Sequence, residues 1–367
     1  KNTKQKLFMT STRKKNKIYV IAEIGVNHNG KMSLAKKMIK AAKKTGADAV
    51  KFQNFTADNL TTKNAKKAPY QIKNTQNKQS QFQMLKGLEL KLKDYFILKK
   101  FAKKNNIDFL SSIFDSESID FLNKRLNQKV LKVPSGEITN TLITEKLNLK
   151  NYKLIISTGM ANSNEIAFAL NTIAKCKIYK KIKGKIKILN KNALRKIQKK
   201  ITLMHCVTDY PVPDNYANLK CINTLSKEFK LPTGYSDHTI GVEASLIAVS
   251  MGAKIIEKHF TLSKRMSGPD HLASLEPKEF SMMVKNIRKF EIMCGNGIKK
   301  LELCERKNIK IARKSIVAKS KIKKGEKFSY KNLTTKRPGD GISPLKMRNL
   351  IGKKSKFNFS PDDLIKI

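Results

Sequence analysis

The chain has 367 residues, 40% of them hydrophobic, and a formal net charge of +49 from 77 Lys and Arg against 28 Asp and Glu. That length allows one large domain, or a large and a small one, around a sizeable core. No apolar run approaches the roughly 18 to 20 residues of a membrane-spanning helix, so no membrane partner is expected. Only nine of the basic residues are Arg, and Lys is spread along nearly every helical segment with no Trp beside it. Nucleic-acid readers favour Arg forks and interleaved aromatics, so the charge reads as AT-rich codon usage and no nucleic-acid partner is expected. It should still draw anionic metabolites toward a cleft. The N-terminal KNTKQKLFMTSTRKKNK lacks an apolar segment, so no signal peptide is expected. Met9 is a candidate start, and residues 1–17 read as an extension. Cys176, Cys206, Cys221, Cys294 and Cys304 are odd in number and lack CxxC spacing. That pattern implies reduced thiols and a cytoplasmic location.

In chain order, short β-rich runs alternate with amphipathic segments. Strands are expected at 18–25, 49–53, 108–114, 130–136, 153–159, 201–207, 231–237 and 254–260. Helices are expected at 33–46, 92–106, 116–126, near 141–148, and at 163–175, 217–229, 242–252 and 276–294. Eight strand–helix units over about 250 residues predict an α/β fold of the (β/α)8 TIM-barrel type over 18–295. A doubly wound open sheet is the runner-up, but no GxGxxG turn follows the first strand. Two segments fall outside the pattern. The Lys-rich stretch 176–199 reads as an exposed excursion, and the loop 54–80 as part of a lid. Beyond a linker at 296–310, turns at KKGE and PGDG predict a small β-rich second domain over 311–367.

His238 and His259 lie 21 positions apart, too far for one helix face. One helix and one strand separate neighbouring strand ends in a barrel, so the fold can bring the two imidazoles together. With Asp237, Glu257 and Asp270 nearby, the pair predicts a divalent metal. Imidazole ligation suits Mn, Zn, Co or Fe, whereas Mg wants more oxygens. The same rule gathers Glu23, Asn27 and His28 after the first strand, Lys51 and Gln53 after the second, and Ser111 and Ser112 after the third. Lys132, Ser135 and Glu137 follow the fourth strand, Ser157 and Thr158 the fifth, Thr208 and Tyr210 the sixth, and Ser236 the seventh. Converging lysines and hydroxyls suit a phosphate and a carboxylate. Glu23, Glu137 and Asp270 remain as acid/base candidates.

The motifs IAEIGVNHNG, DAVKFQ, KVPSGE, STGM, GYSDHTIG, EKHFT and GPDHLASLEP occur in this order. Together they resemble the sialic acid synthases, and RKSIVAKSKIKKGE with KRPGDGI resembles their antifreeze-like (SAF, β-clip) domain. The resemblance implies condensation of phosphoenolpyruvate with an N-acylated aldose, a divalent metal (manganese, with cobalt or magnesium as alternatives) and a domain-swapped homodimer. It assigns His238 and His259 to the metal. Lys51, Ser112, Lys132, Ser135, Ser157, Thr208 and Ser236 fall to phosphoenolpyruvate, and Glu23, Gln53, Tyr210 and Asp270 to the sugar. Glu137 matches a carboxylate acting on the attacking water, with Glu23 and Lys51 also in the catalytic set. Arg337 matches an arginine reaching the sugar from the partner subunit. SSIFD replaces the usual STPFD, and some members carry Asn where Thr208 stands. The first substrate reading is N-acetylmannosamine, giving N-acetylneuraminate. The alternative is a 2,4-diacetamido-trideoxyhexose, giving N,N'-diacetyllegionaminate or pseudaminate. A metal-dependent barrel hydrolase is a remote third, since HxH is absent.

Overall fold

A computed structural model describes residues 17–367; the start at Met9 and nearly all of the 1–17 extension lie outside the described residues. Eight parallel strands form a closed barrel: β1 (Tyr19–Gly25), β2 (Ala49–Asn54), β3 (Asp108–Ile113), β4 (Val130–Val133), β5 (Lys153–Ser157), β6 (Ile201–His205), β7 (Thr233–Asp237) and β8 (Ile255–His259). The barrel closes where β1 pairs with β8, from Tyr19 opposite Ile255 to Glu23 opposite His259. Among the described residues no helix is long and apolar enough to cross a membrane.

Strand alternation divides each strand between two environments. Val20, Ala22 and Ile24 face outward into the core shared with the helices. Ile21, Ala49, Leu110, Ile155 and Met204 face inward and fill the barrel floor. Two residues further along the inward face, Glu23, Lys51, Ser112 and Ser157 replace the aliphatics, and all are buried. The apolar floor therefore ends at a polar layer at the carboxyl end of the strands. Helix Met32–Lys44 shows how the shell is built: Ala35, Met38, Ile39 and Ala42 are buried at helical spacing, and Lys43 and Lys44 sit at the carboxyl end that favours cations.

The strand pairing stops earlier than the sequence suggests. β4 ends at Val133 because Pro134 has no N–H to continue the ladder, and Ser135–Glu137 turn instead into a 3₁₀ segment. The helix expected over 116–126 is α-helical only to Asp120 and π-helical over Phe121–Arg125. The 176–199 stretch is an excursion, exposed over most of its length but tied to the outer shell. Its hairpin, Tyr179–Ile182 against Lys185–Ile188, is anchored by Asn171, which accepts from the backbone N–H groups of Ile178 and Tyr179. The Tyr179 hydroxyl donates to the Phe229 carbonyl at 2.8 Å, and helix Lys191–Gln198 buries Leu194 and Ile197. The lysines conceal this apolar set because their charged ends project outward.

The chain divides into two compact units after Gly295. In the second, Ser315–Ala318 pairs antiparallel with Leu333–Lys336 over a core that includes Ile316, Phe328, Leu350 and Phe359. The stretch expected as a linker is helical from Arg306 to Ala312.

At the mouth, the β1 loop binds the β8 loop. Asn27 donates to the Phe260 carbonyl (3.0 Å) and Ser274 Oγ (2.8 Å), and Asn29 donates to the Ser267 carbonyl (2.8 Å). His28 is buried and stacked on Phe52, and its Nδ1 accepts from the Gly30 N–H at 3.1 Å. Burial pulls the His28 pKa down from 6.5 to about 4, against a weaker opposing backbone hydrogen bond. The unfolded chain thus takes up a proton that the native seam rejects, so this stability is present above pH 6.5 and lost as pH falls toward 4. The thermal midpoint should drop across that window, and His28→Gln should flatten the drop in calorimetric scans.

Candidate active site

Glu257 holds the centre of the polar layer. Its Oε1 lies 3.4 Å from Lys132 Nζ and 3.7 Å from Lys51 Nζ, and accepts from Ser236 Oγ at 3.0 Å. Lys51 also pairs with Glu23 Oε2 at 2.9 Å and donates to Ser112 Oγ at 2.9 Å. Lys132 donates to Ser157 Oγ at 2.7 Å, and Gln53 donates to Glu23 Oε1 at 3.1 Å. Burial would raise the Glu257 carboxyl, but Lys132 and Lys51 outweigh it and bring the pKa to about 2. Glu23 goes the other way: burial raises its carboxyl despite Lys51. Burial lowers Lys132, whereas the two glutamates outweigh burial at Lys51 and raise it. Two carboxylates in one layer thus have opposite tendencies, the usual mark of a division of proton chemistry.

Beside this layer, Ser135 Oγ lies 3.1 Å from Cys206 Sγ and accepts from the Gly159 N–H at 3.2 Å. A Cβ on Gly159 would meet Thr208 Oγ1 at 2.4 Å and Ser135 Oγ at 2.8 Å. The Ser135 and Thr208 hydroxyls thus pack so closely on Gly159 that only glycine fits there.

His238 and His259 face each other with ring centroids 5.6 Å apart, and Tyr210 packs 4.2 Å from the first and 5.5 Å from the second. The His238 Nδ1–H donates to the Val207 carbonyl at 2.7 Å, which fixes the tautomer and leaves Nε2 as a lone-pair donor. Burial lowers the His238 pKa to about 4 and lowers that of His259 as well, so both rings are neutral, as metal ligands must be. His259 Nδ1 is buried without a hydrogen-bond partner, and Asp270 Oδ2 stands 3.9 Å away. Among the described residues no group of three or more His, Cys, Asp or Glu has metal-holding spacing. The residues present fit a cation held by two imidazoles, with most of its coordination left to water or substrate.

Residues 38–299 match the NeuB family and residues 313–367 the SAF domain. The chain belongs to the NeuB family. It is 52% identical over 350 residues to the N,N'-diacetyllegionaminic acid synthase of Campylobacter jejuni subsp. jejuni serotype O:2, covering 95% of this chain and 99% of that one. The Legionella pneumophila enzyme of the same name is 43% identical, over 93% and 91% of the two chains. The N-acetylneuraminic acid synthetase from Leptospira borgpetersenii, solved with citrate, superimposes with a TM-score of 0.65 at 30% identity, covering 80% of this chain and 90% of that one.

Within this NeuB barrel, the expected residues fall into three groups. Glu23, Lys51, Gln53, Ser112, Lys132, Ser157 and Ser236 join the charged layer. Ser135 and Thr208 line the glycine cradle, and Tyr210 and Asp270 adjoin the histidines. Glu137 stands apart on the turn after β4, accepting from Asn140 Nδ2 at 2.7 Å, with its carboxyl raised mainly by burial. Arg337 lies in the second unit, exposed, its Nε donating to the Ala312 carbonyl at 3.1 Å. Asp237 is not available to a metal. It is fully buried on the outer face, paired with Lys258 at 3.0 Å and accepting from Thr239 and Ser245. In the sequence Glu257 stands out only as a neighbour of the histidines. Its position two residues before His259, on the same strand face, was the available signal.

The cradle can be tested by Gly159→Ala. The atoms in the way are ends of side chains, so the thermal midpoint should hold within a few degrees. The displaced Ser135 and Thr208 hydroxyls should weaken phosphoenolpyruvate binding by about tenfold, measured by calorimetric titration.

Proposed function

We propose that this protein condenses phosphoenolpyruvate with a 2,4-diacetamido-trideoxyhexose and water, giving N,N'-diacetyllegionaminate and phosphate. The observation that carries the chemistry is the buried layer of Lys51 and Lys132 beside two neutral imidazoles. The 52% and 43% identities to legionaminic acid synthases over nearly whole chains favour this sugar over N-acetylmannosamine, the first reading of the sequence.

In this reading Lys51 and Lys132 take the carboxylate and phosphate of phosphoenolpyruvate, with Ser112, Ser157, Ser236 and the Gly159 cradle as neutral donors. A divalent cation, manganese first and cobalt or magnesium as alternatives, would be held by His238 and His259 and would supply Lewis-acid polarisation of the aldose carbonyl. Carbon 3 of phosphoenolpyruvate bonds to the aldehyde carbon, and the aldehyde oxygen takes a proton from Glu23, whose carboxyl burial raises. Water then adds at carbon 2, losing one proton to Glu137, and the new hydroxyl passes its remaining proton to the phosphate oxygen as the carbon–oxygen bond to phosphate breaks, leaving the ketone. Gln53, Tyr210 and Asp270 hold the sugar. Fixing both substrates in one cleft supplies much of the rate through orientation.

The test is phosphate release with each aldose in the presence of Mn, with the product mass measured. Fast release with the diacetamido sugar and slow release with N-acetylmannosamine is expected; the reverse preference would return the assignment to N-acetylneuraminate. Chelation, or His238→Ala, should lower turnover by roughly 100-fold.

We also propose a domain-swapped homodimer. Its support is a set of apolar side chains, Leu142, Met160, Tyr216, Ile240 and Leu272, exposed on the segments following β4 to β8. A partner subunit's small domain would cover them and bring in its arginine. If so, inactive His238→Ala and Arg337→Ala chains, unfolded and refolded together, should recover about a quarter of wild-type activity, because one site in each mixed dimer is intact. Absence of recovery would count against the swap.

A further inference from the structure

The segment between β2 and β3 contains a short helix, Pro69–Thr75, that the chemistry above does not use. It is firmly held at both ends. Gln71 accepts from the Ala68 N–H at 2.9 Å at its start. At its other end the buried Lys67 donates to Thr75 Oγ1 (2.8 Å) and to the Asn77 carbonyl (2.8 Å) and side chain (2.7 Å). From this helix Tyr70 packs on Tyr210 with ring centroids 4.9 Å apart, and Tyr210 in turn packs on His238. Asn74 Nδ2 donates to the Pro269 carbonyl at 2.6 Å, one residue before Asp270. The same loop is held from its other side, where Ser274 Oγ donates to the Asp270 carbonyl at 2.7 Å and accepts from Asn27.

We propose that the Pro69–Thr75 helix is the sugar-side wall of the site, with Tyr70 as a specificity-determining contact and Asn74 as a positioning residue for the Asp270 loop. The lysines and the glycine cradle lie among β2, β4, β5 and β6, whereas Tyr70, Tyr210 and Asp270 gather beside the histidines. The wall thus belongs to the half of the site that faces the aldose. Burial, and after it the charge of Asp270, raise the Tyr70 phenol, so the ring presents a neutral face and a hydroxyl. Such a surface accepts the C–H-rich side of a sugar and the methyl group of an acyl substituent. A hexose with a second acetamido group and fewer hydroxyls presents more of that surface than N-acetylmannosamine does. This inference rests on the condensation proposed above, and Asn74 acts on the sugar only through the loop it holds.

Two measurements test it. In steady state, Tyr70→Ala should lower kcat/KM for the diacetamido sugar by about tenfold or more, and for N-acetylmannosamine by clearly less. The KM for phosphoenolpyruvate should stay within about twofold, and Tyr70→Phe should retain most activity. Asn74→Ala should raise KM for both sugars without changing that for phosphoenolpyruvate. Equal losses on both sugars, or a matching rise in the phosphoenolpyruvate KM, would overturn the assignment. Hydrogen exchange reads the wall without turnover. Either aldose should slow exchange at 69–75 and 267–274 in the wild type, phosphoenolpyruvate alone should not, and Asn74→Ala should speed exchange at 267–274 before any ligand is added. If neither sugar protects these segments, the wall is wrong. If a sugar protects them but no phosphate is released, the condensation is wrong and the wall stands.

Discussion

Everything at the mouth of this barrel depends on one buried carboxylate between two buried lysines. Ion pairs taken out of water cost several kcal/mol per charge, and only close geometry and further hydrogen bonds offset that cost. Glu257 meets the requirement by contacting Lys51, Lys132 and Ser236 at once, while Glu23 takes the remaining side of Lys51. The Glu257 carboxylate offsets part of the charge that Lys51 and Lys132 bring into the layer. The lysine ammonium groups are held ready, and an incoming anion has only to compete with glutamates for them. Preorganisation of this kind puts the cost of orienting charge into folding, ahead of reaction.

The layer also separates two kinds of chemistry. On one side hydroxyls, an N–H and ammonium groups suit a phosphorylated acid. On the other, imidazoles, tyrosine rings and Asp270, whose carboxyl burial raises to about 7, suit a less charged molecule. The strand ends of a parallel barrel converge on a common centre, so the two halves meet where a new carbon–carbon bond would form.

Much of this was legible in the sequence because the barrel imposes two simple rules. Strand–helix alternation gave the eight units, and polar residues at strand ends gave nearly every member of the site, including the two histidines 21 positions apart. Three things were hidden, each for a physical reason. Asp237 and His238 are adjacent in sequence, yet alternation sends Asp237 outward to Lys258 and leaves His238 at the mouth. Glu257 gains its meaning from lysines on β2 and β4, a pairing that no local pattern carries. The Pro69–Thr75 helix is too short for periodicity to reveal, and its links to Tyr210 and Pro269 depend on long-range packing.

The Tyr179–Ile188 hairpin shows where the molecule can change without loss. It is fastened through Asn171 and Tyr179 to the outer shell, and its tip at Lys183–Gly184 is a tight turn with both residues at positive φ. None of the hydrogen bonds or ion pairs that build the site involves this hairpin. The tip is therefore a place where new termini, an affinity peptide or a whole inserted domain can be spliced in. The strand ends would stay in register whatever the length of that tip.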